Sequence, residues 1–221
     1  MCYVRYVFLW SLCLLTITCR EIEPYNQSSS LKGYQFSGTL TDSTGYVLRD
    51  AVVSLYYYYD SVATTPTDTQ QVIVTDSMKI VDISVYTLQY EFIKTLFLGR
   101  MPQTGPIRRQ FWNGRDSQNH QVGSGMYLIR YYVDTAVVKF SPFVIDGAPT
   151  DTTDRFGHFA IQKNNLPIGE QFDYYDSTRS FQAVYKILPM IKLNFQYQDR
   201  IVTYDSIQLV KGKITNGSFI L

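Results

Sequence analysis

Among its 221 residues the chain has only three cysteines and two histidines. Cys2, Cys13 and Cys19 all precede residue 20, so the remainder can build neither a disulfide framework nor a cysteine zinc site. His120 and His158 are too few for a multi-histidine metal centre. Charge of one sign is also missing: Lys plus Arg is 20 and Asp plus Glu is 19, a net charge of +1. Such a balance lacks the basic face that nucleic acid requires, and nucleic acid is excluded as a partner. Charged residues make up 18% of the chain, below the roughly 25% of an average soluble domain. Nor does any stretch of helix length carry helical periodicity.

What is abundant is tyrosine (19) and phenylalanine (13), within a hydrophobic fraction of 45%. That fraction excludes disorder for most of the chain. Aromatic side chains suit a pleated, half-buried surface, and from Tyr34 onward the pattern has a period of two. Val53, Leu55, Tyr57 and Tyr59 alternate with Val52, Ser54, Tyr56 and Tyr58, which predicts a strand packed on both faces. Further strands are expected at Val81–Leu88, Phe92–Leu98, Gly125–Val133, Val137–Val144, Phe159–Gln162, Phe181–Leu188, Ile191–Tyr197 and Ile201–Val210. Turn signals punctuate them at Asp42–Gly45, Asp146-Gly147, Arg155–Gly157 and Asn216-Gly217. The expected fold class is all-β, built as β-sandwiches.

The first residues read as an address. Arg5 precedes an apolar stretch, Tyr6 to Ile17, too short to span a bilayer. Cys19 follows, and the chain turns polar at Arg20, Glu21 and Glu23. The arrangement resembles a bacterial lipoprotein signal, with residues 1–18 removed and Cys19 carrying the lipid. Thr16 and Thr18 depart from its usual Leu and small residue. The resemblance implies an exported protein, membrane-anchored in the bacterial envelope on its periplasmic or cell-surface side. Residues 19–33, rich in Ser, Gln and Asn, read as a tether.

Two further resemblances concern the folded part. Residues 72–134 contain Ile83–Leu88, then Trp112-Asn113-Gly114-Arg115-Asp116, Val122 and Ser124-Gly125-Met126-Tyr127. This order resembles the Ig-like module of flagellar hook-capping proteins, with Asn119 where that family often has Gly. Trp112 is expected in a small sandwich core, and Gly114 and Gly125 where a side chain would forbid the turn or the close strand approach. The flanks, residues 34–62 and 141–221, carry Gly38, Asp42, Gly45, Leu48, Ala51, Val53 and Leu55. About a hundred residues later come Thr153-Asp154-Arg155-Phe156-Gly157-His158-Phe159 and Pro167-Ile168-Gly169. These resemble the carboxypeptidase regulatory-like (transthyretin-like) sandwich, interrupted by the hook-cap-like module. Residues 63–71 and 141–150 would be the joints.

No catalytic residue, metal site or cofactor is expected. No serine sits in a nucleophile elbow. Asp116 with Asn119, and Asp151 with Asp154, lack the oxygens of a calcium loop and suit turn capping instead. Arg100, Arg108, Arg109 and Arg115 form a local positive patch. The resemblances imply a non-catalytic envelope lipoprotein, held at a membrane by its lipid, that acts in protein recognition or surface assembly. The alternative is a carbohydrate-binding accessory lipoprotein using exposed tyrosines at Tyr56–Tyr59, Tyr131 and Tyr132.

Overall fold

The computed structural model describes residues 33–67 and 72–221. The signal peptide, Cys19 and nearly all of the tether lie outside the described residues. The fold is all-β, and among the described residues there is no α-helix. The strands are β1 (Tyr34–Thr41), β2 (Val52–Ala63), β3 (Ile73–Val74), β4 (Ile80–Thr87), β5 (Phe92–Arg100), β6 (Gly105–Pro106) and β7 (Gly125–Val133). They continue as β8 (Ala136–Ile145), β9 (Pro149–Thr152), β10 (His158–Ile161), β11 (Gln171–Tyr175), β12 (Phe181–Tyr197), β13 (Arg200–Gln208) and β14 (Lys213–Ile220).

A five-stranded sheet, β11-β12-β2-β9 with β13 beside β12, faces a three-stranded sheet, β10-β1-β14. Phe195 of the larger sheet meets Phe159 and Phe219 of the smaller, with ring centroids 5.2 and 4.9 Å apart. Gly38 of β1 pairs with Gly217 of β14. A Cβ on either would come within 2.6 Å of the Phe159 ring or 2.5 Å of the Phe219 ring, so the glycine pair makes room for those rings. Asn216-Gly217 therefore lies inside a strand and is not the turn its composition suggests.

β4, β5, β7 and β8 form a four-stranded sheet in the order β5-β4-β7-β8. One face builds a separate core around Val81, Ile83, Val85, Trp112, Ile129 and Tyr131. From the other face Met126 and Leu128 join the main core, together with Leu88 at the end of β4. Alternation explains this: successive residues of β7 point to opposite faces, and both faces are covered.

Three expectations are corrected. β2 is buried on one face only: Val53, Leu55 and Tyr57 are buried, whereas Ser54, Tyr56 and Tyr58 are half-exposed. The two runs expected at Phe181–Leu188 and Ile191–Tyr197 are one strand, β12, which loses register with β2 between Ile187 and Ile191. Pro189 lies in that gap and has no N–H for the ladder. β8 pairs with β7 through Ile145, so a boundary at residue 141 falls inside a strand. The chain after residue 181 completes both sandwich layers, β13 against β12 and β14 parallel to β1.

Candidate functional site

One five-residue turn recurs through the fold. The carboxylate of Asp42 accepts the backbone N–H groups of Thr44 and Tyr46 at 2.8 and 3.0 Å. Asp116 accepts from Gln118 and His120, Asp154 from Phe156 and His158, and Asp176 from Thr178 and Ser180. The fourth residue of each turn has positive φ: Gly45 (89°), Asn119 (68°), Gly157 (73°) and Arg179 (66°). Thr87 builds a fifth copy with its hydroxyl, accepting from Gln89 and Glu91, and Tyr90 holds the positive φ (64°). These oxygens are thus committed to backbone donors, as is Asp151, which accepts from Ala160 at 2.7 Å.

The remaining motif residues take structural places. Trp112 is buried; its Nε1–H donates to the Arg115 carbonyl at 2.7 Å and its ring meets Tyr127 edge-on at 4.9 Å. The Tyr127 hydroxyl donates to the Gly123 carbonyl, and burial pushes its pKa up to about 12. At Gly114 (φ 73°) a Cβ would stand 2.6 Å from the Gln121 amide and 2.9 Å from the Ile145 methyl. Gly125 departs from expectation: a Cβ there meets nothing closer than 3.6 Å, so neither turn nor close approach demands glycine. The Ser37 hydroxyl donates to Asn216 at 2.6 Å, and His158 stands exposed on the same surface.

Ser124 carries a role that its motif does not announce. It is fully buried; its hydroxyl donates to the Leu55 carbonyl at 2.6 Å and accepts the Ala148 N–H at 2.8 Å. The Asn165 amide donates to the Ser124 carbonyl, and the Tyr57 hydroxyl donates to the Asn165 carbonyl. This polar knot ties the start of β7 to β2 and to the turn after β8.

Beside the knot, between Val144 of β8 and residues of β2, β11 and β12, lies an aromatic cleft of about 560 Å³. Tyr59 packs against Phe172 at 5.5 Å and Tyr185 at 5.7 Å, and Tyr174 meets Tyr185 at 5.3 Å. Asp146 sits among these rings, accepting the Tyr57 N–H at 3.0 Å and the Tyr59 hydroxyl. Burial pushes the Asp146 carboxyl above its ordinary range, against those hydrogen bonds and the Lys192 charge. Burial also raises the Tyr59 hydroxyl, as does the neighbouring Asp146. The Asp146-Gly147 pair is legible only as a turn, so nothing in the sequence marks its carboxylate as part of a site.

The tyrosines expected to act together are separated. Tyr56 lies under Lys192, whose ammonium is 4.5 Å from the ring centre. Tyr131 is buried in the smaller core, with its hydroxyl accepting the Gln110 N–H. Tyr132 is on the opposite face of β7 near Arg130. The arginines are parted as well: Arg109 covers the Tyr175 ring at 4.1 Å, and Arg115 donates to the Asn119 carbonyl.

At the far end of the four-stranded sheet, β5 has no strand on its outer side among the described residues. Phe92, Phe97 and Leu98 are exposed there by 55%, 38% and 68%. Phe97–Arg100 keeps regular register with β4, and the irregularities fall before it. Comparison with protein-family models, with curated proteins and with solved structures finds no match.

Proposed function

We propose that this chain is a non-catalytic protein of the bacterial cell envelope that recognises a partner protein by adding a strand to β5. In this reading residues 1–18 export it and a lipid on Cys19 holds it at a membrane. A carboxypeptidase regulatory-like sandwich then carries an inserted module of the hook-capping type, whose resemblance implies assembly work. The observation behind the reading is the open edge of β5 at Phe97–Arg100, with Leu98 the most exposed of its large apolar side chains. An edge strand offers a row of main-chain donors and acceptors, and exposed apolar side chains add affinity along it.

The test is chemical cross-linking on intact producing cells, pull-down through an appended tag, and mass spectrometry, for the wild type and Leu98→Lys. A discrete stoichiometric partner that Leu98→Lys no longer captures is the expected result. Recovery of monomer alone, or of the same partner from both proteins, would sink the idea.

A further inference from the structure

The aromatic cleft is a second, separate place for recognition, and its chemistry points to a different ligand. We infer that it binds a neutral glycan, with a sugar ring against the Tyr174–Tyr185 pair and sugar hydroxyls reaching toward Asp146. Three observations carry this.

The first is composition. The cleft is lined by Tyr59, Tyr174, Tyr185 and Phe172, and although Phe172 is buried in the main core, Tyr174 is left 42% exposed at the mouth. Tyrosine supplies an apolar ring face for the C–H side of a sugar and a hydroxyl for its rim. The second is charge. Among the described residues Asp146 is the one carboxylate lining the cleft, and it already accepts the Tyr57 N–H and the Tyr59 hydroxyl, with the Lys192 cation nearby. A cationic ligand would find its counter-charge capped and a competing ammonium at hand, and an anionic one would face the repulsion of the Asp146 carboxylate; a neutral polyhydroxylated ligand meets neither obstacle. The third is size and place. The cavity of about 560 Å³ lies within the range of small-ligand sites, roughly 300–1,000 Å³. It lies where Val144 of β8 meets residues of β2, β11 and β12 in the five-stranded sheet.

The site is tested by titrating the full chain, in detergent micelles, with maltohexaose, cellohexaose, laminarihexaose and xylohexaose, and with choline as a cationic probe. Binding is read from aromatic fluorescence and from affinity electrophoresis. At least one hexasaccharide should bind saturably. Tyr174→Ala should weaken that binding at least about tenfold, while Tyr174→Phe, which keeps the ring, should weaken it less. Tyr46→Ala, at a 76% exposed residue of the Asp42 turn that does not line the cleft, should change nothing. Binding of none of the four sugars, binding that survives Tyr174→Ala, or binding of choline instead would overturn the inference. Because Leu98 is not part of the cleft, Leu98→Lys should bind the same sugar as the wild type.

Discussion

Replacing Ser124 by alanine removes one hydroxyl from the knot between β7, β2 and the turn after β8. Its two shorter bonds go with it, the donation to the Leu55 carbonyl and the acceptance of the Ala148 N–H, along with a longer contact to the Ala148 carbonyl, which keeps the Thr150 hydroxyl as a donor. The two losses are unequal. The Leu55 carbonyl keeps the Gly147 N–H as a partner at 2.9 Å, whereas the Ala148 N–H is left without an acceptor at a site where Ala148 is 6% and Ser124 0% exposed. An orphaned buried donor costs about 1–3 kcal/mol, and a lost neutral hydrogen bond adds about 1 kcal/mol. The expected destabilisation is therefore about 2–4 kcal/mol. For a chain of this size that lowers the melting temperature by about 4–16 °C. Thermal melts followed together by tryptophan fluorescence and far-UV circular dichroism are the assay, because Trp112 reports the smaller core and dichroism reports all the sheets. Both transitions should fall together, since the knot joins elements of both cores. A shift under about 1 kcal/mol, or a fall in the fluorescence transition alone, would refute the reasoning.

Gly114→Ala should destabilise by about 1–3 kcal/mol, from the positive φ and the sub-3 Å approaches at that position, whereas Gly125→Ala should be neutral or stabilising by up to about 1 kcal/mol; urea unfolding of the pair distinguishes them, and equal losses would contradict the geometry. The side-chain hydrogen bond from Thr44 chiefly holds the Asp42 carboxyl below its ordinary value, the His158 N–H does so for Asp154, and the Thr178 side chain for Asp176. A depressed folded value means that the unfolded chain binds these protons first, so the stabilisation is complete above the unfolded value of about 3.9 and is lost as the pH falls through the lower folded values. Asp154→Asn should accordingly flatten the acid limb of the stability curve below about pH 4 and leave its shape near neutrality unchanged; an unaltered acid limb would count against the role of the turn.

Legibility in the sequence followed alternation. β7 is foreseen over Gly125–Val133, its observed span, because long runs with a clear period of two leave little choice. The strands that escape notice are those whose residues say something else locally. β14 contains Asn216-Gly217, which reads as a turn until Phe36, Phe159 and Phe219 are seen to need the space above a glycine pair. β9 and β11 are short, at Pro149–Thr152 and Gln171–Tyr175, and rest on neighbours distant in sequence. The turns are readable from Asp42, Asp116 and Asp154, yet Asp176 and Thr87 show that the same geometry is reached with Arg179 or Tyr90 in the left-handed position. The cleft is the least legible part, since its rings come from β2, β11 and β12 and its carboxylate from the turn after β8.

The parallel pairing of β14 with β1 sets a timetable. β1 is the first strand described, yet both of its neighbours, β10 and β14, follow it by more than a hundred residues. While the chain is made from its N-terminus, Tyr34–Thr41 has no partner strand until β10 arrives, and its other edge stays unpaired until Lys213–Ile220 follow. The four-stranded sheet, drawn wholly from residues 80–145, meets no such delay. Loop closure of that length is slow compared with hairpin formation. The larger sandwich therefore stays open along the β14 side of its first strand until residues 213–220 have been made.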